Sequence, residues 1–144
     1  MQSNHHFSWA VSVDAPTDAV WDQLVDVATW PAWDTEIREA KLDSPFAVGA
    51  TGSLVPKTGP NLRFAITAVD PGNSYTFVTK MPVGTLAITR KLETTQTGAT
   101  FTDDIRFTGL LRHVFGALLG RGFRRVLPGV MDNFKRLVEA NRTS

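Results

Sequence analysis

Two hydrophobic rhythms divide this chain, and the switch between them limits what it can fold into. From Glu36 to Phe107, short apolar runs are separated by turn chemistry at Pro45 to Gly49, Lys57 to Pro60, Asp70 to Asn73, Pro82 to Gly84 and Thr95 to Gly98, which reads as six strands. From about Leu110 the spacing turns helical. Leu111, Val114, Phe115, Leu118, Leu119, Phe123, Val126, Leu127, Val130, Met131, Phe134, Leu137 and Val138 fall on one long apolar face. The chain ends in a long helix.

The amino-terminal part adds a strand and two helices. Phe7 to Val13 alternates large apolar with small residues, the pattern of a strand with one side on a core. Asp14-Ala15-Pro16-Thr17-Asp18 then supplies a helix start, because Pro suits the first turn and acids favour the positive end of the helix dipole. Val20, Trp21, Leu24 and Val25 form the buried stripe of that helix. Thr29 to Asp34 reads as a second helical turn opened by Pro31. At the other end of the chain, Gly116, Gly120 and Gly122 each weaken the terminal helix by roughly 1 kcal/mol relative to Ala. Pro128-Gly129 is expected to bend or interrupt it. The order is strand, two helices, six strands, long helix: an α+β chain, read as one domain over 1–144 with residues 1–6 as a flexible tail.

Composition narrows the function. The 144 residues, 42% hydrophobic, suit one sizeable core. A net charge of +1 gives little steering toward polyanions, so no nucleic-acid partner is expected. There is no cysteine, hence no disulfide framework and no thiolate nucleophile. The amino end lacks the pattern of a signal peptide, and no apolar run approaches the roughly 18 residues of a membrane span. A cytoplasmic protein without an integral membrane segment is the expectation. His5, His6 and His113 make no metal trio. Gly120-Arg121-Gly122 lacks the strand and the Lys-Ser/Thr of a phosphate loop, so neither metal nor other cofactor is expected. His113 reads as a cap or surface residue, or as a base at a cavity mouth. The arginines at 121, 124 and 125, with Lys135 and Arg136, form either a solvated helix face or a contact for a headgroup or an anionic ligand tail. Exposed strand edges and this basic strip fit a monomer or a homodimer.

Strand pairing indicates what lies inside. A two-residue hairpin at Pro71-Gly72 would set Ala68 opposite Tyr75, Ile66 opposite Phe77, Phe64 opposite Thr79 and Leu62 opposite Met81, leaving Val69 and Ser74 on the solvent side. A hairpin turning near Gln96-Thr97 would align Leu92 with Phe101, Ile88 with Ile105 and Leu86 with Phe107. Arg90 then falls opposite Asp103 within an apolar row, and sliding the register by two keeps both facing inward but makes them diagonal neighbours. Such a pair gives little net stability over apolar replacements. Two readings stay open: a structural one, in which the two satisfy one another at a partly wet edge or a bulge turns Arg90 outward, and a functional one, in which they are polar anchors in an apolar pocket. Asp103 and Asp104 are strand neighbours facing opposite sides, so they do not form a carboxylate dyad.

The words Val13-Asp14-Ala15-Pro16-Thr17-Asp18-Ala19-Val20-Trp21 and Trp30-Pro31-Ala32-Trp33, with the Asp70-Pro71-Gly72 turn and the closing Phe134 to Ala140, resemble the polyketide cyclase/dehydrase branch of the START-like, SRPBCC superfamily. The resemblance runs from Phe7 to about Asn141. It implies a helix-grip fold: a curved seven-stranded antiparallel sheet wrapped around a long carboxy-terminal helix, two short helices between strands 1 and 2, and a ligand cavity between sheet and helix. It carries no universal catalytic motif. The residues expected around such a cavity are Trp33, Phe64, Phe77, Thr79, Ile88, Arg90, Phe101, Asp103, Ile105, Phe115 and Met131. Entry is expected near Trp30 to Trp33 and the Lys57 to Pro60 loop. The leading expectation is binding or sequestration of a hydrophobic or aromatic small molecule, lipid-like or polyketide-like. One alternative is a cofactor-free cyclase or dehydratase, with Arg90 stabilising a carbonyl or enolate, Asp103 as acid/base and Tyr75 as donor. The other is an interaction module with a filled core.

Overall fold

A computed structural model describes residues 5–81, 84–110 and 112–143. Strand β1 (His6–Val13) leads into helix α1 (Thr17–Val25) and a 3-10 turn (Val27–Ala32). Strands β2 (Ile37–Leu42), β3 (Thr51–Pro56), β4 (Leu62–Asp70), β5 (Ser74–Met81), β6 (Gly84–Thr94) and β7 (Ala99–Gly109) follow. Helices α2 (Arg112–Leu118) and α3 (Gly120–Thr143) close the chain. The strands form one seven-stranded antiparallel sheet in the order β1-β7-β6-β5-β4-β3-β2, curled into a half-barrel around α3. This is the helix-grip fold.

Alternation explains which side of the sheet is covered. In β7, Phe101, Asp103, Ile105 and Phe107 are buried while Arg106 is exposed, so one row of side chains faces α3. Helix α3 lays Leu127, Val130, Met131, Phe134 and Val138 into that concave side. Polar contacts hold its far half to β1. Lys135 Nζ donates to the Ser12 carbonyl at 2.8 Å and pairs with Glu139 at 2.7 Å, while the Asp14 backbone N–H donates to Glu139 at 2.7 Å. Across one end of the half-barrel, α1 and the 3-10 turn bury Val20, Leu24, Val27 and Trp30.

The structure departs from the sequence expectations at five places. His6 pairs with Arg106 in β1, and the His5 carbonyl accepts from Phe107 N–H at 2.7 Å, so these two residues are not a frayed tail. The 3-10 turn starts at Val27, and Pro31 lies within it rather than opening it. The terminal helix breaks at Leu119, after the glycine-weakened α2, and runs unbroken through Pro128. There the packing of Leu127, Val130, Met131 and Phe134 outweighs the one hydrogen bond that Pro removes.

The β4–β5 turn has three residues, with Gly72 at φ +82° and Asp70 opposite Ser74. The extra residue shifts the register by one. Val69 therefore meets Tyr75 and packs on the core, while Ala68 turns to solvent; a bulge between Ile66 and Ala68 then restores Ile66 opposite Phe77. The fifth departure is at Trp30 to Trp33. Both indoles are fully buried, which makes this segment part of the packed interior rather than an opening.

The β2–β3–β4 ribbon depends on one glycine. A Cβ on Gly52 would overlap the Lys41 carbonyl and the Phe64 ring, which stacks near Trp30 and Phe77. Gly52→Ala is expected to destabilise the protein by about 1–3 kcal/mol through overpacking, against the usual gain from replacing a strand glycine. Urea unfolding measures it, and a neutral outcome would show that the ribbon relaxes freely at this point.

Candidate functional site

The site is built from β6 outward. Direct pairing of Arg90 with Asp103 puts both side chains on the concave face, where each residue is 3% exposed. Leu92 and Phe101, Ile88 and Ile105, and Leu86 and Phe107 are the flanking pairs, so the charges stand inside an apolar row. Aromatic rings surround the guanidinium. Its carbon lies 4.7 Å from the Trp30 ring, 4.9 Å from Trp33, 5.0 Å from Phe77 and 6.0 Å from Tyr75. Ring faces present negative potential, which partly replaces the hydration that the cation loses.

Hydrogen bonding to the cation is sparse. Arg90 Nη1 donates to the Tyr75 hydroxyl at 3.1 Å, and that hydroxyl donates to the Leu24 carbonyl at 2.8 Å. Trp30 Nε1 donates to the same carbonyl at 2.9 Å. Leu24 sits in the last turn of α1, where carbonyls lack helical partners and carry the negative end of the helix dipole. Arg90 Nε approaches Asp103 Oδ1 at 3.5 Å, yet neither atom has a hydrogen-bond partner among the described residues, nor does Trp33 Nε1. Among the described residues, one of the five N–H donors of the guanidinium is engaged.

This loose pairing leaves its mark on ionisation. Burial pushes the Asp103 carboxyl from 3.8 up to about 6, with Arg90 pulling the other way. Burial also raises Asp34, against the Glu36 backbone N–H that bonds it and the nearby Arg90. The Tyr75 hydroxyl is raised by burial. Burial lowers Arg90, but Tyr75, Asp103 and Asp34 outweigh it and the net shift is upward, so the guanidinium keeps its charge.

Beside Arg90 a cavity of about 430 Å³ opens between the sheet and α3. Leu54, Leu62, Phe77, Leu86, Ile88 and Val126 give it apolar walls, with Thr79, Asp34, Glu36 and Arg90 as polar points. Ile37, Pro56, Thr58, Leu119, Gly122, Phe123 and Arg125 complete the lining.

Four of the residues expected at the site, Phe77, Thr79, Ile88 and Arg90, line this cavity. Tyr75 and Asp103 stand behind Arg90 and reach the space only through it. Trp33, Phe64, Phe101, Ile105 and Met131 lie in the packed layer. Trp33 and Phe101 both rest on Phe134, which closes the volume toward the far half of α3. The Phe115 side chain lies outside the described residues. Sequence reasoning missed Asp34 and Glu36, while Arg125, read as part of a basic strip that could meet an anionic ligand tail, lies on the lining. Asp34 directly follows Trp33, but only the 3-10 turn, through the hydrogen bond from Asp34 N–H to the Trp30 carbonyl at 2.8 Å, swings it toward Arg90. His113 is exposed and its ring meets His5 edge-on at 4.6 Å, away from the cavity lining. Among the described residues no group of three His, Asp or Glu could hold a metal ion.

A curled antiparallel sheet gripping one long helix, with an apolar cavity between them, defines a class of hydrophobic-ligand folds. The family model described as polyketide cyclase / dehydrase and lipid transport matches residues 4–139, and the chain belongs to that family. No curated protein sequence matches it. Among solved structures, protein NE0264 from Nitrosomonas europaea is similar over 100% of both chains, with a TM-score of 0.78 at 14% identity. Ara h 8.0201 gives a TM-score of 0.74 at 13% identity, over 94% of this chain and 98% of its own. The di-domain ARO/CYC StfQ from the steffimycin biosynthetic pathway gives 0.71 at 15% identity, over 95% of this chain and 50% of its own. At these identities the likeness is one of fold.

Two measurements follow from the buried pair. Arg90→Met or Asp103→Leu alone is expected to cost about 3–5 kcal/mol by stranding the other charge, and the two together much less. Additive small effects in urea unfolding would place both groups in water. The pH dependence has a definite sign. The folded state binds the Asp103 proton more tightly than the unfolded chain does, so this contribution is full below pH 3.8 and is lost as pH rises through about 6. The stability of the protein minus that of Asp103→Asn should therefore fall between about pH 4 and pH 7. An ordinary surface ion pair gives the opposite slope.

Proposed function

We propose that the protein binds and sequesters an apolar or aromatic small molecule, lipid-like or polyketide-like, in the cavity between the sheet and α3, with an oxygen of the ligand against Arg90. The observation that carries this reading is the 430 Å³ cavity itself: its size is that of a small-molecule site, its walls are apolar, and a caged guanidinium with unused donors stands on its lining. A space of that size beside Arg90 supports this reading over the filled-core alternative. Apolar ligand surface gains about 25 cal/mol per Å² on leaving water. A carbonyl or carboxylate oxygen would accept from the idle N–H groups of Arg90, where low polarity strengthens the bond.

Raised carboxyls favour a second reading, a cofactor-free cyclase or dehydratase. Asp34 lines the cavity near Arg90 and holds its proton more tightly than an exposed carboxyl, as a general acid requires. In that reading Arg90 polarises a ligand carbonyl and stabilises the enolate. Asp103 and Tyr75 act as positioning residues that fix the guanidinium. Family membership is compatible with both readings, since its description spans cyclase, dehydrase and lipid transport.

The test uses aromatic ketones and their deoxy analogues with the purified protein. The ketone is expected to bind at least about tenfold more tightly than its analogue, the scale of one hydrogen bond to a charged group. Ile88→Trp, which narrows the cavity beside Arg90, should weaken both, and Arg90→Leu with Asp103→Leu should keep the apolar ligand while losing the preference. Binding unaffected by Ile88→Trp would defeat the proposal. Turnover lost in Asp34→Asn with binding retained would select the enzyme.

A further inference from the structure

Charge is distributed unevenly along this chain. Between Asp104 and Asp132 there are five arginines and no acid, a local charge of +5 in a protein whose total is +1. Four of them, Arg112, Arg121, Arg124 and Arg125, belong to α2 and the first turns of α3, and all four are exposed. Among the described residues none of these four forms an ion pair. Arg112 reaches the Gly109 carbonyl at 3.4 Å, and Arg124 lies over the Phe7 ring at 5.1 Å.

The same stretch holds apolar side chains that packing does not claim. Leu110 is 82% exposed, Val114 48% and Leu119 41%. Leu119 also lines the cavity, together with Phe123 and Arg125. A projecting Leu within a run of unpaired guanidinium groups is costly in water, and it is the pattern of a surface that meets an interface apolar inside and anionic outside. No helix among the described residues is long and apolar enough to cross a membrane.

We infer that Leu110 and the exposed residues of α2 and the first turns of α3 dock the protein on an anionic lipid surface, with Leu110, Val114 and Leu119 entering the headgroup region and Arg112, Arg121 and Arg125 pairing with lipid phosphates. Charge complementarity selects this occupant. The segment offers cations without neighbouring acids and apolar side chains that project singly; a bilayer accepts projecting side chains of any arrangement, whereas a folded protein must match their shape. Where the cavity takes an apolar ligand, as proposed above, docking places Leu119 and Phe123 on the membrane side, so the ligand passes between lipid and cavity with little exposure to water.

Vesicle co-sedimentation tests it. The protein should bind vesicles of phosphatidylcholine mixed with phosphatidylglycerol, leave them at high salt, and bind pure phosphatidylcholine far less. Arg112→Gln and Arg121→Gln should each weaken binding roughly fivefold, and Leu110→Ser should weaken it at every salt concentration. Lys41→Gln and Lys91→Gln, which remove exposed charge from the strands, should leave it unchanged, as should Ile88→Trp, whose narrowed cavity separates failure of docking from failure of ligand binding. Equal binding to both vesicle types, equal losses in the lysine controls, or retention of an acidic protein without vesicle binding would overturn the inference.

Discussion

Burial of one cation organises this interior. Arg90 is removed from water on a strand whose neighbours are apolar, and no close, fully bonded carboxylate compensates it. Compensation comes instead from three different sources, namely aromatic ring faces, a hydroxyl tied to the end of α1, and a carboxylate at 3.5 Å. Because these belong to α1, the 3-10 turn, β5 and β7, seating the guanidinium fixes how the small helices cap the half-barrel. The Leu24 carbonyl accepts from both Trp30 and Tyr75, so the last turn of α1, the cage and the cation form one connected unit.

The cavity exists because curvature and straightness do not match. A sheet curled around one helix touches it closely along part of its length and separates elsewhere. The far half of α3 closes the gap with Met131, Phe134 and Val138, and Phe134 meets both Trp33 and Phe101. The near half, which presents Gly122, Phe123 and Val126, leaves the space open. Polar points gather at the boundary between these regions: Arg90 and Asp34 have the closed core on one side and the open space on the other. An orienting group is useful there, since it is dry enough for strong electrostatics and still reachable.

How much of this is legible in the sequence varies with the range of the interaction. The inward facing of Arg90 and Asp103 follows from alternation, because a slip by one residue would turn the whole apolar row to solvent, whereas a slip by two keeps the faces, so their direct pairing is decided by the structure. The β4–β5 register is not legible near its turn, since a three-residue turn and a compensating bulge conserve the pattern farther along the strands. Nor is it legible which aromatics line a cavity. Phe64, Phe101 and Ile105 have the same residue types and alternation as Phe77 and Ile88, and differ only in where α3 presses closely on the sheet.

The sequence by itself determined the α+β class, the order of elements, the inward facing of Arg90 and Asp103, and a basic stretch free of acids, because period, turn chemistry and charge are local properties. Tertiary structure alone decided that the guanidinium is caged by Trp30 and Trp33, that Asp34 joins it, and that open volume remains beside it. Those features depend on the angle at which a 3-10 turn and a long helix meet a curved sheet. No pattern of residue types along one strand or helix encodes that angle.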